Sequence, residues 1–253
     1  MDEKDKTGYE TMIQKTMEKS KKSRFANYSD MFVGKRGFFA FLKYEFLTTW
    51  FSNFPGAVGI ALRSIFYKFL FKKVGKGVVF GKSITIRNPS KIVIGNNVII
   101  DENVMIDAKG VDNNGIVLEN GVFLGRNTIL SCKNGDITLK ENVNIGFNCY
   151  VVSLNKVEIG EDTLIAAYTY IIGGGHSSEK TDIAFRDQKK HAIGIKIGKN
   201  AWFGAKSIIM DGCSVGDNSI IGAGAIVTKD IPEYSIAVGM PAKVVRDRRG
   251  KEE

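Results

Sequence analysis

The sequence contains few of the side chains that bind metals or form cross-links. Among 253 residues there are three cysteines and two histidines. Three is an odd number and no CxxC pair occurs, which argues against a disulfide framework and against a cysteine-bound zinc ion. We therefore expect a reduced, cytoplasmic chain that holds no metal. Residues 1–30 are polar and charged, unlike a secretory signal peptide, and residues 1–35 are expected to form a polar, flexible N-terminus.

Acidic residues are missing from a long part of the chain. No Asp or Glu occurs between Phe46 and Ile100, although this segment is rich in aromatic and basic residues and the chain has a net charge of +9. Two amphipathic helices, about 37–52 and 56–71, are predicted on either side of a break at Pro55-Gly56.

These helices, within residues 36–72, have two interpretations. Arg63 and Lys68 interrupt the second apolar run, so neither helix reaches the ~20 apolar residues of a membrane span. An aromatic and basic segment suits the surface of an anionic membrane, with residues 36–76 in contact and the protein peripheral on the cytoplasmic face. Alternatively, the helices cap the open end of a repeat array. The basic residues accompany an apolar face rather than a groove motif, so nucleic acid is not an expected partner.

A six-residue repeat runs from Val74 to Val227. Apolar anchor residues recur in seven groups of three, and ten of the 21 anchors are followed by Gly. A period of six does not match the 3.6-residue period of a helix, but it fits a short strand followed by a turn, with three hexads in each triangular coil. Such coils bury their apolar face only by stacking. The repeat predicts an all-β solenoid, a parallel β-helix of about seven coils over residues 73–232.

Two further positions in each hexad carry information. Gly after an anchor is expected to supply a turn geometry that a Cβ would prevent. The residue four positions after the anchor is small or β-branched in most hexads and is also expected to face inward. Val98, Thr128, Cys149, Ser207 and Ala225 are examples.

All insertions into the repeat leave from one edge of the predicted prism. They follow the third hexad of a coil, and the longest, twenty residues after Ile171, forms an excursion over residues 173–196. Because binding loops tend to share one face of a repeat array, this edge is the predicted site. The alternative is an edge that simply tolerates loops.

Both histidines lie in the excursion. His176 follows three glycines where the chain leaves the prism, and an imidazole at this place can accept a proton near neutral pH. We predict that His176 is catalytic, against the alternative of a solvated loop residue. His191 is interpreted as solvated.

Four segments resemble the hexapeptide-repeat acyltransferases, in the sugar O-acetyltransferase branch of maltose, galactoside and surface-polysaccharide type. They are Gly173–His176, Ile195–Ala205, Ile220–Pro232 and Val238–Arg246. The resemblance implies a left-handed β-helix that assembles as a homotrimer, with active sites between subunits. It also implies acetyl-CoA as co-substrate.

The resemblance assigns roles to individual residues. His176 matches the catalytic histidine, and residues 233–253 form a tail over the CoA site. The implied CoA-binding residues are Trp202, Gly204, Ala205, Gly222, Ala223, Thr228, Lys229, Lys243 and Arg246, with Lys243 and Arg246 near the phosphates. The acceptor end departs from the family pattern. Ser153, Asn155, Asp187 and Gln188 are acceptor candidates, with turn or loop roles as the alternative.

The predicted function is therefore acetyl transfer from acetyl-CoA to a hydroxyl of a surface polysaccharide or lipid-linked glycan precursor. A sugar amine or another small molecule is an alternative acceptor. A zinc-dependent carbonic anhydrase of this fold would need three histidines, and the chain has two. A structural scaffold remains the non-enzymatic alternative.

Overall fold

The computed structural model describes residues 23–250, apart from the side chain of Arg186. Residues 1–22 of the predicted polar terminus, and the last three of the predicted tail, lie outside the described part. The first elements are helical: α1 (Arg24–Tyr28), a π-helical turn (Ser29–Val33), α2 (Phe38–Phe51), α3 (Gly56–Phe66) and a 3₁₀ turn (Tyr67–Phe69). The rest of the chain is a solenoid of short parallel strands.

The solenoid has three sheets, one for each side of the prism. The first contains β1 (Lys73–Val74), β4 (Ile92–Ile94), β7 (Ile116–Leu118), β10 (Asp136–Leu139), β13 (Lys156–Ile159), β18 (Ile195–Ile197) and β21 (Ser214–Val215). The second contains β2 (Val79–Phe80), β5 (Ile99–Ile100), β8 (Phe123–Leu124), β11 (Asn144–Ile145), β14 (Leu164–Ile165), β19 (Trp202–Phe203), β22 (Ile220–Ile221), β24 (Ser235–Val238) and β25 (Lys243–Asp247).

The third sheet contains β3 (Thr85–Arg87), β6 (Met105–Asp107), β9 (Ile129–Cys132), β12 (Tyr150–Ser153), β15 (Tyr170–Gly173), β20 (Ile208–Met210) and β23 (Ile226–Val227). A separate hairpin pairs β16 (Gly175–His176) with β17 (Lys190–His191), and two short 3₁₀ turns span Pro89–Lys91 and Phe185–Asp187. The order of strands gives seven complete coils and part of an eighth, in which Ile231 bridges to Val215 and β24 pairs with β22.

The register confirms the predicted coils. Val74 pairs with Ile94, and Ile159 pairs with Ile197 across the twenty-residue excursion, so that anchors stack on anchors. The anchors and the second inward positions form one continuous core that runs the length of the solenoid. Insertions leave only between the third and first sheets. The six-residue period therefore predicts both where each coil begins and where the chain can depart from it.

The glycines after the anchors serve a purpose different from the predicted one. Gly95 and Gly160 do not have the left-handed φ of a tight turn. A Cβ on Gly160 would lie 2.5 Å from the backbone carbonyl carbon of Gly198 in the next coil. A Cβ on Gly95 would lie 2.7 Å from the backbone carbonyl carbon of Glu119. Such distances are far inside van der Waals contact. Close stacking of coils, rather than turn geometry, therefore requires glycine here.

The left-handed conformation occurs one residue before the second inward position. Asn127, Asn148 and Asn200 have φ values of 59°, 55° and 51°. Asparagine tolerates this region better than other residues with a Cβ. The Asn side chains also bond along the stack, since Asn127 Nδ2 donates to Asn148 Oδ1 at 3.0 Å. The corners are thus fixed by both backbone preference and side-chain ladders.

The helices cover the first coil and close the core at that end. Tyr67 is fully buried, with its ring centroid 5.6 Å from that of the inward-facing Phe80. The Tyr44 hydroxyl donates to the carbonyl of Ile86 at 2.6 Å, and burial raises the pKa of Tyr44 to about 12. These contacts place the helices over the first coil.

Arg63 is part of this cap and not of a solvated basic face. It is 1 % exposed, and its guanidinium donates to the carbonyls of Phe80 (2.9 Å), Phe54 (2.8 Å) and Phe51 (3.1 Å). Burial lowers the pKa of Arg63 because the charged form is desolvated. The buried cation joins both helices to the first coil by satisfying carbonyls that would otherwise lack donors.

Two features of the N-terminal region differ from expectation. Residues 24–33, predicted as part of a flexible terminus, are helical, and Phe32 stacks on Tyr28 with ring centroids 4.8 Å apart. Helix α2 is apolar on both faces rather than amphipathic, because it packs on the solenoid through Tyr44 and Leu47 while exposing a second apolar stripe. Within residues 23–250, no helix combines the length and apolar character that crossing a bilayer requires.

Coil stacking makes a direct prediction about stability. Gly160→Ala should lower the free energy of unfolding by about 1–3 kcal/mol, because the added methyl overpacks the contact with the next coil. Gly175→Ala is the matched control, since a Cβ there has no heavy atom within 4 Å, and it should change stability by less than about 0.5 kcal/mol. Denaturant unfolding of both variants measures the difference. Equal effects of the two substitutions would contradict the stacking explanation.

Candidate functional site

His176 lies in a short antiparallel hairpin at the start of the excursion, opposite Lys190. Its Nδ1 is 3.1 Å from the carbonyl oxygen of Phe185. Because a carbonyl oxygen can only accept a hydrogen bond, this contact places a ring proton on Nδ1. In the neutral imidazole with this tautomer, Nε2 is the nitrogen that can act as a base.

A groove of about 370 Å³ lies beside His176. Its floor is made by outward-facing residues of β12 and β15, among which the rings of Tyr150 and Tyr170 meet edge to face with centroids 6.1 Å apart. The full lining is Lys133, Tyr150, Val152, Leu154, Tyr170, Ile172, Gly174, Gly175, His176 and Lys190. The groove thus combines one imidazole, two lysines and an aromatic and aliphatic floor.

The four predicted acceptor residues do not line this groove. Ser153 is fully buried and its hydroxyl donates to the carbonyl of Asp136 at 2.8 Å. Gln188 is also buried, and its amide bonds both the carbonyl (2.7 Å) and the N–H (3.2 Å) of Lys180. Asn155 donates to the carbonyl of Ile193 at 2.9 Å, and Asp187 is exposed at the end of a 3₁₀ turn. Ser153, Asn155 and Gln188 therefore shape the wall and the excursion.

Seven of the nine predicted CoA-binding residues lie on the second sheet or at the corner that follows it, whereas Thr228 and Lys229 follow β23 of the third sheet. Trp202 is 52 % exposed and stands between Leu164 and Ile220 of the neighbouring strands. At the corner, Ala205 and Ala223 are exposed one coil apart, and the carbonyl of Ala205 accepts from Gly224 N–H at 2.8 Å.

The corner leaves two backbone donors open to a ligand. In the part of the chain that the structure describes, the N–H groups of Ala205 and Ala223 bond no protein acceptor. Gly204 and Gly222 precede them, and a Cβ on Gly222 would lie 2.7 Å from the Val238 side chain. These small residues give a ligand close access to the backbone.

The C-terminal hairpin brings basic residues to the same sheet. β25 folds back on β24, with Lys243 opposite Val238 and Arg246 opposite Ile236. Thr228 and Lys229 are exposed just after β23. Trp202, Ile220, Ile236 and Arg246 occupy consecutive strands, so Trp202 and Arg246 are separated by three strand spacings, roughly 14 Å.

Within one chain, His176 and its groove are separate from the predicted CoA-binding residues. None of the predicted CoA-binding residues lines the groove of His176. The sequence also gave no role to Tyr150, Tyr170, Lys133 or Lys190. The two tyrosines could have been found, because each precedes an anchor in one of two consecutive coils and therefore faces outward on the third sheet.

No cysteine is suited to nucleophilic chemistry. Cys132, Cys149 and Cys213 are all buried free thiols, and burial raises the pKa of each. A raised pKa disfavours the thiolate, which is the reactive form. Among residues 23–250, no group of three His, Cys, Asp or Glu side chains is arranged to hold a metal ion.

Comparison with known proteins identifies the repeat. Residues 194–229 match the family model of the bacterial transferase hexapeptide (six repeats), which confirms the predicted resemblance for these coils. The chain is 37 % identical over 112 residues to galactoside O-acetyltransferase of Escherichia coli (strain K12), covering 44 % of this chain and 54 % of that protein. It is 30 % identical over 128 residues to a probable acetyltransferase of Mycobacterium tuberculosis, covering 51 % and 43 %. The chain therefore spans about half the length of these relatives.

A solved structure supports the fold. AntD, an N-acyltransferase from Bacillus cereus in complex with dTDP and 3-hydroxybutyryl-CoA, aligns with a TM-score of 0.52 and 20 % identity, covering 78 % of this chain and 89 % of that chain. At this identity the similarity concerns the fold alone, which is the left-handed parallel β-helix that the resemblance implied.

Proposed function

We propose that this protein, whose sixth and seventh coils carry the hexapeptide repeat of bacterial transferases, moves an acetyl group from acetyl-CoA to a sugar hydroxyl. The observation that carries the proposal is His176, held in the Nδ1–H tautomer by the Phe185 carbonyl at the wall of an aromatic groove. The 37 % identity to galactoside O-acetyltransferase supports an acetyl donor and a sugar acceptor. A surface polysaccharide or a lipid-linked glycan precursor is the proposed acceptor.

The reaction proceeds by direct transfer. Nε2 of His176 takes the proton from the sugar hydroxyl while the oxygen attacks the thioester carbonyl carbon. The Ala205 N–H, which bonds no acceptor in the described chain, stabilises the oxyanion that forms. The C–S bond then breaks, and the departing thiolate takes the proton from the imidazolium. Neither a metal nor a covalent enzyme intermediate takes part.

Acetyl-CoA is proposed to lie along the edge of the second sheet. The thin pantetheine arm passes Trp202 and the small residues Ala205 and Ala223, where the backbone is accessible. Arg246, roughly 14 Å from Trp202 along the stack of strands, and Lys243 on the same strand bind the phosphates. Thr228 and Lys229, exposed just after β23 of the third sheet, are also proposed to contact acetyl-CoA.

A complete site requires a second copy of the chain. The proposed base lies beside the groove on the third sheet, whereas Trp202, Ala205, Ala223, Lys243 and Arg246 lie on the second sheet or its corner. A homotrimer with threefold symmetry places one corner of each solenoid against a different side of its neighbour. We therefore infer that His176 of one protomer acts on acetyl-CoA held by the next.

The role of His176 is tested by replacing each histidine of the hairpin in turn. His176→Ala should lower kcat for acetyl transfer by about 10²–10⁴, the usual contribution of a general base, and leave the Kd for acetyl-CoA within about threefold. His191→Ala, in the same hairpin, is the control and should retain activity. Release of free thiol in the presence of sugar acceptors measures the rate. Undiminished activity of His176→Ala would remove this residue from the mechanism.

The shared site is tested by mixing two impaired variants. One variant is His176→Ala, and the other carries Trp202→Ala with Lys243→Ala to weaken CoA binding. In randomly mixed trimers, about a quarter of the sites should combine an intact His176 with an intact CoA surface, because each half is intact in half of the protomers. Activity should therefore rise on mixing. If it stays at the level of the separate variants, both halves of the site belong to one chain.

The helical cap is proposed to place the enzyme on an anionic membrane. Its outer surface, here called the cap face, consists of exposed apolar residues of α2 and α3 and the turn that follows. They are Phe39, Leu42, Phe46, Trp50, Ile65 and Phe69. The face is continuous, because the Phe46 ring lies 6.0 Å from Phe51, which stacks on Phe66 at 4.5 Å.

Charge around the cap face suits anionic lipids. Lys43, Lys68, Lys72 and Lys73 are exposed beside it, and Lys43 Nζ donates to the Phe69 carbonyl at 3.0 Å, which keeps the lysine at the boundary of the two helices. The nearest acidic residue of α2, Glu45, is half-buried and accepts a hydrogen bond from Tyr28. Apolar side chains ringed by lysines are typical of helices that lie in the headgroup region.

Membrane binding is tested with vesicles of phosphatidylcholine with and without phosphatidylserine. The full chain should sediment with the anionic vesicles, less at high salt, and Phe39→Ser with Trp50→Ser should weaken binding at least about tenfold, since two large apolar side chains are lost. Val111→Ser, at an exposed apolar residue in a solenoid loop, is the control. Absence of binding to anionic vesicles at low salt would contradict this proposal and leave the acetyl-transfer proposal intact.

A further inference from the structure

We propose that Gln188 is a positioning residue for His176: its buried amide folds the excursion so that the Phe185 carbonyl stays against Nδ1 of the imidazole. This inference rests on the proposed function, because it concerns the tautomer in which the proposed base accepts a proton. It gives Gln188, which the sequence suggested as an acceptor-binding residue, a role that acts through the histidine and not through the substrate.

Gln188 is the buried residue of an otherwise exposed loop. Apart from Arg186, whose side chain is not described, Gln188 is the only residue from 175 to 194 that is buried, at 7 % exposure. The regular structure between the two strands of the hairpin is a single 3₁₀ turn, Phe185–Asp187. In the described chain, none of the residues 173–194 belongs to the continuous core of the solenoid. Bonds within the excursion, rather than core packing, therefore maintain its shape.

Both ends of the Gln188 amide bind the same residue. Nε2 donates to the carbonyl of Lys180 at 2.7 Å, and Oε1 accepts from the Lys180 N–H at 3.2 Å. Nε2 also lies 3.4 Å from the carbonyl oxygen of Ile183. A rotated amide would set its NH₂ group against an N–H and its oxygen against two carbonyls, so these partners determine the orientation of the amide. The side chain thus ties residues 180–183 to the end of the 3₁₀ turn.

The backbone of Gln188 reaches the carbonyl that contacts the proposed base. The Gln188 N–H donates to the carbonyl of Phe185 at 3.2 Å, and Nδ1 of His176 is 3.1 Å from the same oxygen. A carbonyl oxygen has two lone pairs and can accept both bonds. The hairpin keeps these groups close, because the Ser177 N–H donates to the carbonyl of Lys189 at 2.8 Å. Gln188 therefore holds the Phe185 carbonyl directly through its N–H and indirectly through the loop segment that its side chain binds.

The tautomer of His176 depends on this carbonyl. The ring is exposed, so water competes with the protein for its nitrogens. A carbonyl that is already in place favours the proton on Nδ1, and Nε2 then has the lone pair that accepts the proton of an acceptor hydroxyl. Without that carbonyl, the neutral ring can carry its proton on Nε2, where it cannot act as this base. Hydrogen bonds that fix a catalytic side chain in one arrangement are what a preorganised site requires.

The tautomer is measured by ¹⁵N NMR of the full chain labelled in its histidine rings. The chain has two histidines, and His191→Ala leaves one ring to assign to His176. In the plateau above the titration of the ring, the wild type should carry the proton on Nδ1. Gln188→Leu, which is similar in size and has no polar side-chain atom, should shift the ring towards the Nε2–H tautomer. Gln188→Glu keeps an acceptor for the Lys180 N–H but loses the amide donors, and it should have the same effect.

Turnover should follow the tautomer. With saturating acetyl-CoA and sugar acceptors including methyl galactoside, kcat should fall about 10–100-fold in both Gln188 variants, because the base is misplaced or protonated at the wrong nitrogen. The Kd for acetyl-CoA should stay within about threefold, since the proposed CoA-binding residues lie outside the excursion.

Asn113→Leu is the matched control. Asn113 braces another insertion at the same corner of the prism, where its amide donates to the carbonyl of Gly135 at 2.9 Å and accepts from Lys91 Nζ at 2.8 Å. It is not part of the groove of His176. Its replacement should therefore leave both the tautomer and kcat unchanged.

Three results would overturn the inference. The first is a wild-type His176 ring that carries its proton on Nε2, which needs no variant to be observed. The second is an unchanged tautomer in both Gln188 variants, even if kcat falls, because Gln188 would then support the loop without orienting the base. The third is an undiminished kcat in variants whose tautomer has shifted. A tautomer that depends on Gln188 in a protein that releases no thiol with the sugar acceptors would instead refute acetyl transfer and uphold the positioning of the ring.

Discussion

The structure depends on the close contact of one backbone coil with the next. Glycine follows an anchor wherever a Cβ would collide with the neighbouring coil, as at Gly160 against Gly198. Two corners of the prism are further tied by left-handed asparagines whose side chains bond along the stack, Asn127 to Asn148 at one corner and Asn200 to Asn218 at the other. A loop that left from either of these corners would separate coils that are in van der Waals contact. The excursion therefore leaves the described solenoid at the third corner, between the third and first sheets. His176 lies at that corner because the excursion begins there.

The sequence was sufficient to predict the solenoid because its signal is local and repeated. Each anchor is a buried apolar residue at a fixed spacing, so a wrong assignment of one hexad is corrected by the hexads on either side. Even Ile159 and Ile197, which are separated by the excursion, were paired correctly. The reason assigned to the glycines was wrong, because the collision they avoid is with a residue of the following coil. Distances between coils cannot be read from a single hexad.

The candidate site was only partly predictable. His176 was conspicuous as one of two histidines, and its tautomer became clear only when Phe185 was seen to approach Nδ1. Ser153 and Gln188 looked like polar candidates, but both are buried and bond backbone groups. Lys133 and Lys190 were indistinguishable from solvated lysines, since their convergence depends on how a loop of one coil meets a hairpin of another. Likewise, Arg63 read as a surface charge until its three carbonyl partners were located.

The position of the helical cap has a consequence for avidity. The cap is attached to the first coil, at one extreme of the solenoid axis. In the proposed homotrimer, cyclic threefold symmetry relates protomers by rotation without translation, so three caps would lie in a single plane at the same pole. Once one cap has bound a flat surface, the other two caps are held near it at a high effective concentration, so the three weak contacts reinforce one another. If both proposals hold, a modest apolar patch on each chain is enough to keep one pole of the proposed trimer at the lipid, while separated protomers exchange rapidly with solution.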